Sequence, residues 1–158
     1  MIDPYQTLVW LHILSSTVLF GTGIGTAFQM WATHLRGDPR TIAAVAANVV
    51  LADWLFTLPA GIVQPATGLS MVFMAGMDPF DSWLVVTYAL YLLALGCWIP
   101  VVVLQIQARD LAVRAAARGD PLPPVYHAIM RRWFILGWPA FIALVIVFWL
   151  MVTKPVLW

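Results

Sequence analysis

Two titratable side chains stand inside long apolar runs of this sequence, and both invite a chemical reading. His12 lies in the run Thr7 to Ala32, which contains no Asp, Glu, Lys or Arg. An imidazole placed among lipid tails is costly unless partnered, so a polar group held there marks a candidate functional site. At about 100° per residue, Ser16 and Gly23 fall on the same helical face as His12. A glycine near a membrane histidine leaves space for a flat macrocycle, and histidine is a common axial ligand of haem iron. This pattern points to haem b held by His12, with Ser16 and Gly23 beside it, for electron transfer or haem handling. The bland alternative is that His12 hydrogen-bonds a neighbouring helix. Gly21 and Gly25 then form a small-xxx-small pair for close packing. A second axial ligand cannot come from His34 or His127, which fall at the opposite end of the predicted helices. It requires Met71 or Met74, a five-coordinate iron, or His12 of a second copy.

Asp53 is the acidic counterpart in the second apolar run. An unpartnered charge at the centre of a membrane helix costs about 2.5–3.5 kcal/mol on insertion scales, so this carboxyl should face the bundle interior. Thr57 and Gln64 share its face. In the third run Tyr91, Trp98 and Gln105 recur at seven-residue spacing. Trp98 falls at a depth similar to Asp53, within reach of the carboxyl. The stripe is either a polar network that fixes helix packing or a route for protons or a small polar ligand. The second option describes a small proton-coupled transporter or channel-like protein. A third possibility is an accessory membrane subunit with no chemistry of its own.

The elements that must position these groups follow from composition. The 158 residues are 63% hydrophobic and 9% charged, with no Glu and a single Lys, Lys154. Soluble domains carry about 25% charged residues, so lipid must cover most of this surface. A span needs about 20 mostly apolar residues. Four stretches qualify: about 7–32, 41–63 with a possible extension to 76, 82–107 and 133–152. The first lacks the basic flank and cleavage pattern of a signal peptide and reads as a retained helix. Pro59 and Pro65 predict a kink or break in the second span near Thr57 to Pro65. Ala66 to Gly76 is left as either a helical continuation or an interfacial segment. Arg36 and Arg40 lie between spans one and two. Arg109, Arg114, Arg118, Arg131 and Arg132 lie between spans three and four. The positive-inside rule then puts both arginine loops in the cytoplasm and both termini outside, in a bacterial inner membrane. Trp10, Trp31, Trp83, Trp133 and Trp158 fall near the span boundaries. The expected architecture is an all-α, four-helix membrane bundle formed by residues 1–158 as a single domain. It is expected to meet a second copy or a membrane partner through its small-residue faces.

Other chemistry is excluded. The lone cysteine, Cys97, gives no internal disulfide and no cysteine-based metal site. There is no phosphate-binding glycine loop, nucleophile triad or paired carboxylate. The net charge of +1 does not support nucleic-acid binding.

The strings LHILSSTVLFGTGIGTAF, LADWLFTLPAGIVQPATGL, CWIPVVVLQIQARDLA and WFILGWPAF…LMVTKP resemble the bacterial domain-of-unknown-function family 2269 of predicted integral membrane proteins. The resemblance covers nearly the whole chain. It implies four spans and an inner-membrane location, and it brings no activity. Through Leu11, His12, Gly21 and Gly23, the first helix is also similar to membrane proteins of the HemJ-type protoporphyrinogen oxidase and CopD-type copper-resistance families. The HemJ type relies on a membrane lysine. No span here contains one, so that activity is not carried over.

Overall fold

The computed structural model describes residues 3–158. Among the described residues there are five α-helices and one π turn. They are α1 (Pro4–Arg36), α2 (Pro39–Ala52), the π turn (Asp53–Thr57), α3 (Leu58–Met74), α4 (Ser82–Arg118) and α5 (Pro124–Thr153). Because α2, the π turn and α3 run on without interruption, four helical units are long and apolar enough to cross a membrane. Segment 66–74, left open by the sequence, is helical. Pro59 and Pro65 therefore do not break the second unit. At 33–37 residues the first three units reach about 50 Å, well past the hydrocarbon thickness of about 30 Å. Their ends must tilt or extend into the interfaces.

Local chemistry sets these boundaries. Asp3 caps α1 by accepting from the Tyr5 amide, and Pro4 takes the first helical position, where a missing N–H is harmless. Gly37 ends α1 at φ 73°, in the left-handed region that glycine tolerates. Asp38 then starts α2, accepting from both the amide and the hydroxyl of Thr41. Those bonds, the hydroxyl's first, hold the exposed Asp38 carboxyl below the usual carboxylate range. Beyond its apolar run α4 continues to Arg118 and stops at Gly119, also left-handed.

The apolar interior is split between the two ends of the bundle. Near the arginine loops, Met30, Ile42, Val49, Tyr126, Met130 and Trp133 form the larger cluster. Ala46, Ala108 and Ala112 in the same cluster have no exposed surface, so small side chains bring α2 close against α4. At the opposite end, Val72, Trp83, Leu84 and Leu150 form a smaller cluster. The C-terminal segment closes over that end: the Leu157 amide donates to Ser82 Oγ at 2.9 Å, and Lys154 sits 5.7 Å from the Trp83 ring centroid. Phe20 of α1 meets Phe141 and Phe148 of α5 edge-on. Outward-facing Ile62, Phe73, Leu92 and Trp138 are about two-thirds exposed. An apolar surface of that extent belongs in lipid.

Candidate functional site

Between the two apolar clusters lies a band of buried polar side chains, and His12 stands at one end of it. His12 Nδ1 is 2.8 Å from Thr67 Oγ1 on α3. The Thr67 hydroxyl has one proton, and it faces the Val63 carbonyl at 2.7 Å. The Gln64 carbonyl lies 3.2 Å from the same hydroxyl. When Thr67 donates to one of these carbonyls, the imidazole donates to Thr67 from Nδ1 and its Nε2 lone pair is free; in the other tautomer the hydroxyl turns and donates to Nδ1. No hydrogen bond reaches Nε2 in either arrangement among the described residues. Gln64 Nε2 donates to the His12 carbonyl at 3.2 Å, a second tie between α1 and α3. Gly68 makes the approach possible, since a Cβ there would lie 3.2 Å from His12 Cε1.

Ser16 and Gly23, the companions expected from helical spacing, have other partners. Ser16 Oγ donates to the Ile13 carbonyl of its own helix. The space beside Gly23 is occupied by the Phe141 ring, 3.6 Å from where a Cβ would stand. Sharing a helical face did not determine which neighbour fills it. The positions that do meet the imidazole are Thr67 and Gly68.

Asp53 stands at the other end of the band, 4% exposed. Gln105 donates from Nε2 to Asp53 Oδ2 at 2.7 Å and accepts from the Trp133 indole at 3.3 Å, in the amide orientation that satisfies both. This chain ties the second, third and fourth spans together. Thr57 and Trp98 also turn toward the carboxyl. Neither closes a hydrogen bond of regular geometry, and both polar atoms are sealed from solvent. Trp98 thus lies near Asp53 as its depth suggested, while Trp133 is the indole that completes the network.

Two prolines shape the band between these ends. Pro59 has no N–H, and its ring would press on the carbonyl one turn back. Just before it the ladder widens to a π turn, with the Leu58 amide donating to the Asp53 carbonyl five residues earlier. Pro65 leaves the Gly61 carbonyl without its helical donor. Tyr91 Oη supplies the donor from α4. A Cβ at Gly61 would sit 3.6 Å from the Tyr91 oxygen, an ordinary contact, so the approach does not depend on a glycine there.

Asp53, Thr57, Gln64 and Thr67 are all buried and follow one side of the second unit. From Asp53 to Thr67 the stripe climbs about 21 Å at 1.5 Å per residue. The two groups that the sequence presented separately are therefore the ends of one polar file. Three side-chain atoms on or facing it, Thr57 Oγ1, Gln64 Oε1 and Trp98 Nε1, are buried without a hydrogen-bond partner among the described residues; Tyr88 Oη, beside the smaller apolar cluster, is a fourth such atom.

The sequence model of the family described as predicted integral membrane protein (DUF2269) matches residues 6–155. The chain belongs to the DUF2269 family. The matched region contains all of the polar file, so His12, Asp53 and their partners are part of the DUF2269 domain itself. No curated protein and no solved structure matches the chain.

At the arginine end of this DUF2269 chain, His34 and His127 do approach, with ring centroids 5.7 Å apart. His34 Nδ1 also lies 3.3 Å from the hydroxyl of the fully buried Tyr126. No cluster of three or more His, Cys, Asp or Glu side chains suited to a metal ion occurs among the described residues. Met71 lies one helical turn beyond Thr67, and Met74 is exposed at the end of α3.

Proposed function

We propose that this DUF2269 protein binds haem b through His12 and serves in electron transfer or haem handling. The observation that supports this most directly is the imidazole's anchoring: Nδ1 is held 2.8 Å from Thr67 Oγ1, and no hydrogen bond reaches Nε2 among the described residues. Histidines that ligate metals characteristically donate their other ring N–H to a fixed acceptor, which sets ring orientation and raises basicity. The donor group fits an axial ligand, although the shelf expected at Gly23 is filled by Phe141. Bound there, haem would supply a one-electron redox couple. Within the chain, Thr67 orients the ring, Gly68 lets it lie against α3, and Gln64 fixes the backbone from which His12 projects.

The test is a reduced-minus-oxidised spectrum of protein purified after haem supplementation. A Soret and α-band signal that disappears in His12→Ala and weakens in Thr67→Val is the expected result. No signal in the wild-type protein, or an unchanged signal in His12→Ala, removes the proposal.

A second reading rests on the unpartnered Thr57, Gln64 and Trp98 atoms and the continuity of the file. In a membrane interior such atoms call for water or a polar ligand, and a titratable group at each end suits a proton-linked route. On this reading Asp53 is the proton-carrying group. Asp53→Asn keeps an acceptor for Gln105, so the fold is retained while pH-dependent flux into liposomes is lost. Flux that persists unchanged in Asp53→Asn excludes Asp53 from that role.

We further propose an inner-membrane location with the arginine loops in the cytoplasm and both termini on the outer side, on the positive-inside distribution. Gly21 and Gly25 have nothing within 4 Å of the position a Cβ would take, so their small-residue face is open toward lipid or a second copy. A homo-oligomer through this face is expected to cross-link in Gly21→Cys under oxidation.

A further inference from the structure

The outer surface between α4 and α5 carries a cleft of about 650 Å³. Its walls are Ile99, Pro100, Val103 and Leu104 from α4, and Ile135 and Leu136 from α5. The remaining lining residue is Arg132. We propose that this cleft holds one anionic phospholipid, with its headgroup phosphate on the Arg132 guanidinium and an acyl chain along Ile99, Val103 and Ile135.

Two independent features lead to this occupant. The first is the composition and size of the cleft. Ile99, Val103 and Ile135 are each about half exposed, and the lining has no hydroxyl, amide or carboxylate. Its volume is in the range of ordinary ligand sites. An apolar slot opening sideways from a membrane helix pair suits a lipid tail better than a polar solute. Pro100 contributes to its form, since a proline inside α4 cannot donate to the Gly96 carbonyl one turn back. Gly96 itself has no atom within 4 Å of where a Cβ would stand, so nothing fills the groove at that turn.

The second feature is charge. Among the described residues one ion pair is formed, Arg109 with Asp110, and Arg132 is not part of it. Arg132 stands just before Trp133, which is buried and tied to Gln105. The start of α5 lies eight residues before it, about 12 Å along the axis. The surface lining the groove is almost wholly apolar, so Arg132 gives its aliphatic stem to the wall, and its guanidinium, which makes no ion pair among the described residues, offers a planar donor fork to a phosphate beyond it. The lining has no acidic side chain to offset the Arg132 charge, so the net charge at the groove favours an anionic headgroup.

The experiment uses the full-length protein and native mass spectrometry, with phosphatidylglycerol and phosphatidylcholine as probes. One phosphatidylglycerol per chain is expected to survive activation that strips phosphatidylcholine. Arg132→Gln should weaken its retention about tenfold, the effect of losing one charge-assisted contact. Arg131→Gln, next along the chain but outside the cleft, should leave it unchanged. Val103→Phe fills the slot while keeping the arginine and should also release the lipid. Both Arg132 and Val103 are exposed, so the delipidated melting temperatures of these variants should match wild type. Equal retention of the two lipids, an equal loss in Arg131→Gln and Arg132→Gln, or competition by inorganic phosphate alone would each overturn the proposal.

Discussion

At the residue scale, the His12 ring is held by a hydroxyl on another helix. Thr67 Oγ1 lies 2.8 Å from Nδ1 and 2.7 Å from the Val63 carbonyl, and a proton given to Val63 leaves the imidazole as the donor. Thr67→Val conserves shape and removes that acceptor. Haem retention should fall between roughly tenfold and a hundredfold, the usual effect of losing a group that orients a metal ligand. Gly68→Ala should act through space, because its Cβ would meet the ring at 3.2 Å. The spectral bands are then expected to shift while the helices remain folded by circular dichroism. Asp53→Ala is a harsher change than Asp53→Asn, since it leaves the buried Gln105 amide without its acceptor. A loss of about 1–3 kcal/mol in detergent unfolding is expected. Asp38 behaves differently, because its carboxyl is exposed and its range is lowered by Thr41. The cap it forms is fully present above the ordinary carboxylate pKa of about 3.9 and is lost as pH falls through the lower folded value. Amide exchange at Thr41 should therefore quicken, relative to the rest of α2, only in strong acid, and Asp38→Ala should show that faster exchange at every pH.

At the scale of elements, the second span shows how prolines become assets when another helix supplies the missing donor. Tyr91→Phe should destabilise the protein by about 1–2 kcal/mol, because the Gly61 carbonyl is then unpartnered. In a Pro65→Ala background the helix regains its own N–H at that turn, and the cost of Tyr91→Phe should largely vanish. A double-mutant cycle measures this coupling directly, and strict additivity would argue against the assignment. The face carrying Tyr91, Trp98 and Gln105 was legible from seven-residue spacing, and so was the inward orientation of Asp53. The partners Gly61 and Trp133 were not, since matching one helix to another requires their relative height and rotation, which no single helical repeat contains. Thr67 was within reach. It lies three residues past Gln64 on the same face, but treating Pro65 as a possible break hid the continuation. The same limit explains Gly23: periodicity gave its direction on α1, and only packing revealed the Phe141 ring there.

At the scale of the whole molecule, the four spans follow from composition, because so little charge leaves few other ways to dissolve the chain. Their ends do not, since α4 continues to Arg118 and α5 begins at Pro124, in polar sequence beyond the apolar runs. The orientation proposal makes its own prediction. Cysteines introduced next to Arg118 should resist a membrane-impermeant thiol reagent in intact cells, and one near Lys154 should react. The reverse pattern would invert the topology.

The separation of the apolar packing into two end clusters has a mechanical consequence. Each end is held by interlocked side chains, whereas the stretch between them buries small apolar side chains such as Ala60, Ala94 and Cys97 and is tied to α4 by the directional bond of Tyr91. Small side chains give little contact area, so this stretch is free to loosen while both ends stay clasped. Backbone deuterium uptake should accordingly begin around Asp53 to Gln64, in the middle of the membrane, rather than at the rims where fraying usually starts.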